Sequence, residues 1–169
     1  KKDIYPVFQP IIEMKSGRVT GYESLARWHD TELGHISPVN FVNIAERTGQ
    51  IRALGLCMLS QAIQKASEIN GDWVLNVNIS RRELEAPHFS SAVIEICKNN
   101  LFSPNRLCLE ITESTVALQP TQALEALKLL KSHGVKLAID DFGTGYSSFY
   151  VLHSSTFDYI KVDRSFVKD

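Results

Sequence analysis

The sequence predicts an α/β fold: a mostly parallel sheet whose strands are joined by crossover helices, opened by one antiparallel hairpin. Three observations predict it. Short segments with apolar residues at alternate positions are followed by longer segments with apolar residues at helical spacing, and the two kinds alternate along the chain. Lys15-Ser16-Gly17-Arg18 reads as a tight turn between the first two extended segments, so those two strands run antiparallel. No linker, low-complexity stretch or short-period repeat interrupts the pattern, and 169 residues, 44% hydrophobic and 22% charged, suffice for one domain with a substantial core.

Tyr5 to Ile12 is the first strand, and its prolines assign it to a sheet edge or end, because proline cannot donate to a ladder. Val19 to Trp28 is the second. Ser37 and Pro38 mark a helix start, with Ser37 as N-cap and Pro38 in the first turn; this helix runs to Thr48 and stops at Gly49. The next helix, Ile51 to Ile69, places Leu56, Leu59, Ile63 and Ala66 on one face. Trp73 to Ile79 is a strand, and Ser80 and Glu83 have capping-box spacing for a short helical turn. A helix at Phe89 to Asn99 and a Ser-Pro-Asn turn lead into the strand Arg106 to Thr112. Pro120-Thr121 begins a helix with Ala123, Ala126, Leu127 and Leu130 on one face, ended by Gly134. A strand ending at Asp140, a connection at Leu152 to Phe157 and a last strand at Tyr159 to Val162 bring the count to six strands.

Composition excludes several functions. The net charge is −1, and no basic run with interleaved aromatics suggests a nucleic acid polymer as partner; Arg81-Arg82 alone carries little weight. No apolar run is long enough to cross a membrane, and Lys1-Lys2-Asp3 is not followed by a signal-type apolar core. Cys57, Cys97 and Cys108 are odd in number and widely spaced, which fits neither a disulfide framework nor a zinc site. All three read as small core residues in a reducing compartment, and a cytoplasmic domain is the expectation, with a membrane anchor elsewhere in a parent protein left open. The five histidines, His29, His35, His88, His133 and His153, lack metal-pair spacing and read as surface or loop residues. Trp28 and Trp73 read as core, the charges of 81–85 as a solvated turn, and Thr144, Ser147 and Ser148 as loop hydrogen-bonders with no triad partners.

The chemistry concentrates where strands end. Val135, Leu137 and Ile139 alternate with Lys136, Ala138 and Asp140, so a strand stops at the pair Asp140-Asp141, and Gly143 and Gly145 loosen the loop behind it. Two adjacent acids there form either a solvated turn or a cation site. The other strands weigh on that choice. Glu23 and Arg27, Asn76 and Asn78, Glu110 and Thr112, and Lys161 and Asp163 all lie on the parity opposite their strand's most apolar face, near its C-terminal end. In parallel α/β folds sites are built at that end. Acids gathered there need a cation. Glu23, Asn78, Glu110 and Asp140 are oxygen donors, which favours Mg²⁺ or Mn²⁺ over zinc. Asp141 and Asp163 could hold a second ion, and two ions about 3.5–4 Å apart suit in-line attack of water on a phosphodiester, with Lys161 and Arg27 as phosphate or water partners.

These residues resemble the EAL-domain cyclic-di-GMP phosphodiesterases. The resemblance runs through essentially the whole chain: Glu23-Ser24-Leu25 followed by Ala26-Arg27, then Val77-Asn78-Ile79-Ser80, Leu109-Glu110-Ile111-Thr112-Glu113, Asp140-Asp141-Phe142-Gly143-Thr144-Gly145-Tyr146-Ser147-Ser148 and Ile160-Lys161-Val162-Asp163. Ser24 replaces the family's usual Ala, away from the coordinating atoms. The resemblance implies a (β/α)8 TIM-like barrel with an antiparallel first strand, incomplete here at about six strands. It implies Glu23, Asn78, Glu110 and Asp140 as ligands of a first metal and Asp140 as a bridge to a second near Asp141. Asp163 and Lys161 fall on the second-metal and attacking-water side. Arg27 resembles the family's phosphate-binding arginine, Gln9 falls in a ligand-lining Gln-Pro motif, and Glu113 matches a glutamate that braces the loop 142–148. That loop is linked in the family to metal binding and dimerisation. The implied reaction is hydrolysis of cyclic di-GMP to linear pGpG, in a parent protein carrying sensor or GGDEF domains.

A complete barrel of this kind takes about 250 residues. The chain stops after the sixth strand, before the family's Glu-Gly-Val-Glu motif and its later Gln-Gly pair, so the expectation is a C-terminally truncated EAL domain spanning 1–169, with a weakened second metal site and little catalysis of its own. The alternative is a non-catalytic member that binds cyclic di-GMP or a protein; the intact ligand set favours descent from an active enzyme. Asp141-Phe142-Gly143 as a kinase motif is set aside, because neither a catalytic-loop His-Arg-Asp nor a Gly-rich strand-loop accompanies it.

Overall fold

A computed structural model describes residues 3–117, 121–144 and 156–167. The chain opens with β1 (Ile4–Ile12) and β2 (Val19–Asp30), paired antiparallel with Val7 opposite Leu25 and Gln9 opposite Glu23. The turn between them is the predicted one: Glu13 and Arg18 close it, and Gly17 sits at φ +69°. β2 outlasts its predicted end and pairs back on β3 (Gly34–Ile36), a three-residue strand with no alternation long enough to read from sequence. The described residues therefore hold seven strands, one more than predicted.

The remaining elements follow the predicted order: α1 (Pro38–Arg47), α2 (Ile51–Ser67), β4 (Val74–Asn78), α3 (Arg81–Leu84), α4 (Phe89–Asn99), β5 (Leu107–Thr112), α5 (Glu113–Ala117), α6 (Thr121–Ser132), β6 (Lys136–Phe142) and β7 (Tyr159–Val162). α5, a single turn beginning immediately at the end of β5, was not predicted. The sheet order is β1-β2-β4-β5-β6-β7, parallel from β2 onward, and it is open: β1 and β7 are its edges among the described residues. β1 is thus the edge strand its prolines required. The start proposed at Pro120, most of the connection at 152–157, and His153 lie outside the described residues.

One sheet face is dry. Leu75 and Val77 of β4, Leu109 and Ile111 of β5 and Leu137 and Ile139 of β6 pack on Leu59, Ile63, Val93, Leu127 and Leu130 of the helices. That packing follows from the period-two and period-3.6 patterns, and at about 1.5–3 kcal/mol per buried aliphatic side chain it is the main force holding helices to sheet. The polar parity points to the other face.

Three local readings change. Ser37 occupies the N-cap position of α1 but its side chain makes no capping bond, leaving Pro38 and the Phe41–Trp28 edge-to-face contact to fix that end. Glu83 is not part of a solvated turn. It completes the predicted capping box, accepting from the Ser80 amide (2.9 Å) and hydroxyl (2.6 Å), and is only 3% exposed, so burial pushes its carboxyl above the ordinary range. Cys57 is not a core residue but lies exposed on α2, because it faces away from the stripe that Leu59 and Ile63 bury.

Cys97 and Cys108 are buried as predicted, and burial pushes their thiols up to about 11 and about 12. In the native protein a thiol reagent at neutral pH will therefore modify Cys57 alone, and all three after unfolding, as counted by mass spectrometry. The raised values also fix a sign. Unfolded thiols ionise at about pH 8.5. The buried pair keeps its protons to higher pH, so its contribution to stability is constant below that point and declines as pH rises above it, by about 1.4 kcal/mol per pH unit for each thiol.

Candidate active site

The polar parity of five strands converges at one end of the sheet. The registers place Glu23 beside Asn76, Asn78 beside Glu110, and Thr112 beside Asp140, so β2, β4, β5 and β6 present these side chains on the same face at their C-terminal ends. Lys161 of β7 reaches into this group. Its ammonium lies 2.5 Å from Glu110 Oε2, 3.2 Å from Asp140 Oδ2 and 3.4 Å from Glu23 Oε2. Three carboxylates from three strands close on one cation.

The acids are held from behind. Asn78 Nδ2 donates to Glu23 Oε1 at 2.9 Å, and Asn76 Nδ2 donates to Glu110 Oε1 at 2.8 Å. Asn76 is the residue that sequence reasoning passed over: it has the right parity, but nothing in its strand signals that a glutamate two strand positions further out would turn to meet it. Glu110 is 1% exposed, and burial pushes its carboxyl above the ordinary range, against the opposing pull of the Lys161 hydrogen bond and charge. Burial also acts to lower the Lys161 pKa, but Glu110, Asp140 and Glu23 together outweigh it and raise the ammonium above an ordinary lysine. The lysine stays charged across the physiological range.

Asp140 turns one oxygen to the Asp141 amide (3.0 Å), and Asp141 sits in the left-handed region at φ +54°. Partial burial, then the neighbouring Asp140 and Asp163 charges, push the Asp141 carboxyl up. The chain then bends at Gly143, whose φ of +100° favours glycine. Glu113, 1% exposed at the start of α5, accepts the Gly143 amide at 2.9 Å. Of the predicted loop 142–148, residues 145–148 lie outside the described residues.

The other candidates are near but not joined to the cluster. Asp163 is half-buried and its Oδ1 caps the turn that follows, accepting from the Ser165 hydroxyl and amide, which hold its carboxyl low. Gln9 is exposed, in register with Glu23 at the sheet edge. Arg27 lies further along β2, its guanidinium resting on the Ala26 carbonyl at 2.8 Å. Arg27, Asn78 and Glu110 line a cavity of about 500 Å³ that extends over Phe41 and Met58 toward Glu83. His29 and His35, read separately as surface residues, are both exposed but stand opposite each other across β2 and β3 with ring centroids 4.8 Å apart, a pairing hidden until β3 is known.

Among the described residues, no three His, Cys, Asp or Glu donors are already gathered as a metal site; what the carboxylates close on is the lysine. The donor set nevertheless fits a hard cation. It is all oxygen on the acid side, it carries more negative charge than one ammonium neutralises, and Glu110 has nowhere to relax into water.

The sequence profile of the EAL domain matches residues 1–169. The chain belongs to the EAL domain family. A probable cyclic di-GMP phosphodiesterase of Escherichia coli is 36% identical over 174 residues, covering 99% of this EAL domain chain and 22% of the relative. A cyclic di-GMP phosphodiesterase of Pseudomonas aeruginosa is 34% identical over 166 residues, covering 96% and 28%. This EAL domain chain therefore spans between a fifth and a third of the length of these curated relatives. The structure of the PaMucR phosphodiesterase in complex with c-di-GMP superposes with a TM-score of 0.92 at 32% identity, covering 98% of this chain and 69% of that one. The open sheet is thus the matching part of a TIM-barrel-like EAL fold. Among the described residues no helix is long and apolar enough to cross a membrane.

The Lys161–Glu110 pair makes a stability prediction. Lys161→Met leaves a buried carboxylate without its counter-charge. Breaking a buried pair costs about 3–5 kcal/mol, less here because the lysine is 30% exposed, so a loss of about 1–3 kcal/mol is expected in urea unfolding. The double variant with Glu110→Gln should recover part of that loss.

Proposed function

We propose that this chain is part of a metal-dependent phosphodiesterase domain that hydrolyses cyclic di-GMP to linear pGpG. The observation that carries the reading is the convergence of Glu23, Glu110 and Asp140 on one cationic point at the C-terminal ends of parallel strands. The names of the relatives supply the substrate. In this reading Glu23, Asn78, Glu110 and Asp140 would hold Mg²⁺ or Mn²⁺, and Asp141 and Asp163 would serve a second ion. The bound cations supply charge neutralisation and a nucleophilic water at neutral pH.

The chain's own residues do the rest. Arg27 offers a planar fork for a phosphate at the mouth of the cavity, and Gln9 flanks Glu23 from the edge strand. Lys161, charged across the working range, orients water or phosphate oxygens and balances the buried acids. Glu113 holds Gly143 and so sets the position of Asp141. Homodimerisation through the 142–148 loop, sensor or GGDEF domains in the parent protein and a cytoplasmic location belong to the same reading.

Calorimetric titration with cyclic di-GMP, with and without Mg²⁺ or Mn²⁺, tests it, with product followed by chromatography in the same samples. Binding that needs the cation, together with any pGpG formed, should fall at least tenfold in Glu110→Gln. Absence of both binding and product in a folded sample overturns the proposal. Binding without cleavage, unaffected by Glu110→Gln, would instead favour the non-catalytic binding domain.

A further inference from the structure

The two asparagines of β4 pair with the glutamates in a crossed pattern. Asn76 stands in register beside Glu23, yet its amide donates to Glu110. Asn78 stands in register beside Glu110, yet its amide donates to Glu23. Each glutamate thereby has its Oε1 tied to β4, and each has its Oε2 facing the same point, the Lys161 ammonium. A carboxylate turns easily about its last torsion, which is broad and roughly two-fold. For Glu23, 20% exposed at the side chain, water could satisfy a stray oxygen. Glu110 has no exposure at its side chain, so its Oε1 depends on what the protein provides, and the partner seen there is Asn76.

We infer that Asn76 is a positioning residue of the cation site, fixing the Glu110 carboxylate so that Oε2 points at the ion. The inference rests on the metal-dependent reading above and adds to it a residue outside the predicted ligand set. In this inference Asn76 is not itself a ligand; it acts through Glu110, to which its amide donates. Partners that orient a ligating carboxylate are worth about 10–100-fold in metal affinity when removed.

The test is Mn²⁺ titration of the 169-residue chain and its variants, followed by the loss of the free-ion electron paramagnetic resonance signal, with near-ultraviolet circular dichroism as the check of folding. Asn76→Leu keeps the volume but removes the donor. Asn76→Ser, too short to reach Oε1, serves if the leucine variant does not fold. Either should weaken Mn²⁺ about 10–100-fold. Asn76→Gln, which retains an amide, should recover part of the affinity. In a Glu110→Ala background the same substitution should change nothing further, because the residue through which Asn76 acts is gone. Mn²⁺ binding by the wild type that Asn76→Leu or Asn76→Ser leaves unchanged overturns the inference alone. An equal loss with and without Glu110 also overturns it, by revealing a general structural effect. No Mn²⁺ binding by the folded wild type overturns the metal-site reading and the inference with it.

Discussion

A carboxylate with no access to water is the constraint around which this molecule is arranged. Glu110 sits at the centre of β5, itself near the middle of the sheet, and is 1% exposed. Desolvating an ionised acid costs several kcal/mol, so it survives only with a counter-charge and hydrogen bonds in place. The parallel sheet supplies both. It brings the C-terminal ends of neighbouring strands side by side, so Asn76 can come from β4 and Lys161 from β7, 51 positions further along the chain. The apolar face packs on helices and so fixes which side chains of each strand face away from them. With the strand registers, this brings the carboxylates of the opposite face to one point.

Much of this arrangement is legible in the chain. Strands and helices alternate in the predicted order because the apolar patterns that report them also bury them: Leu75, Leu109 and Ile139 on one side, Leu59, Ile63 and Leu127 on the other. The parity argument works for the same reason. Once the dry face is known, Glu23, Asn78, Glu110 and Asp140 must share the other, and Lys161 joins them. The bend after the acid pair was also readable, since Gly143 stands at positive φ.

What was missed depends on contacts that no local pattern encodes. β3 is three residues long and exists because β2 runs on far enough to receive it, and only then do His29 and His35 face one another. α5 is a single turn, too short for a periodic signal. Cys57 and Glu83 were misplaced in opposite directions. A cysteine is commonly buried, but the face of α2 that carries this one points to solvent. A glutamate among arginines is commonly solvated, but a capping box turns this one inward against Gly55. Asn76 was placed on the polar parity but given no role there, because its partner lies on the neighbouring strand and out of register, a relation that spacing along one strand cannot express.

The crossed amides have a bearing on how the chain finds its alignment. The dry faces of β4, β5 and β6 read Leu-Val-Ile, Leu-Leu-Ile and Val-Leu-Ile, which are nearly interchangeable. A slip of one residue between parallel strands would turn those side chains to the wrong face and be rejected at once. A slip of two would keep every aliphatic residue pointing inward at little cost in packing, so the oily pattern alone leaves that alternative poorly discriminated. The polar face does discriminate. A two-place slip that carries β5 away from Asn76 would set Glu110 four positions from that amide, leaving a buried acid with fewer donors. The polar residues gathered at this end thus also serve as a key that tells otherwise synonymous strands where to stop.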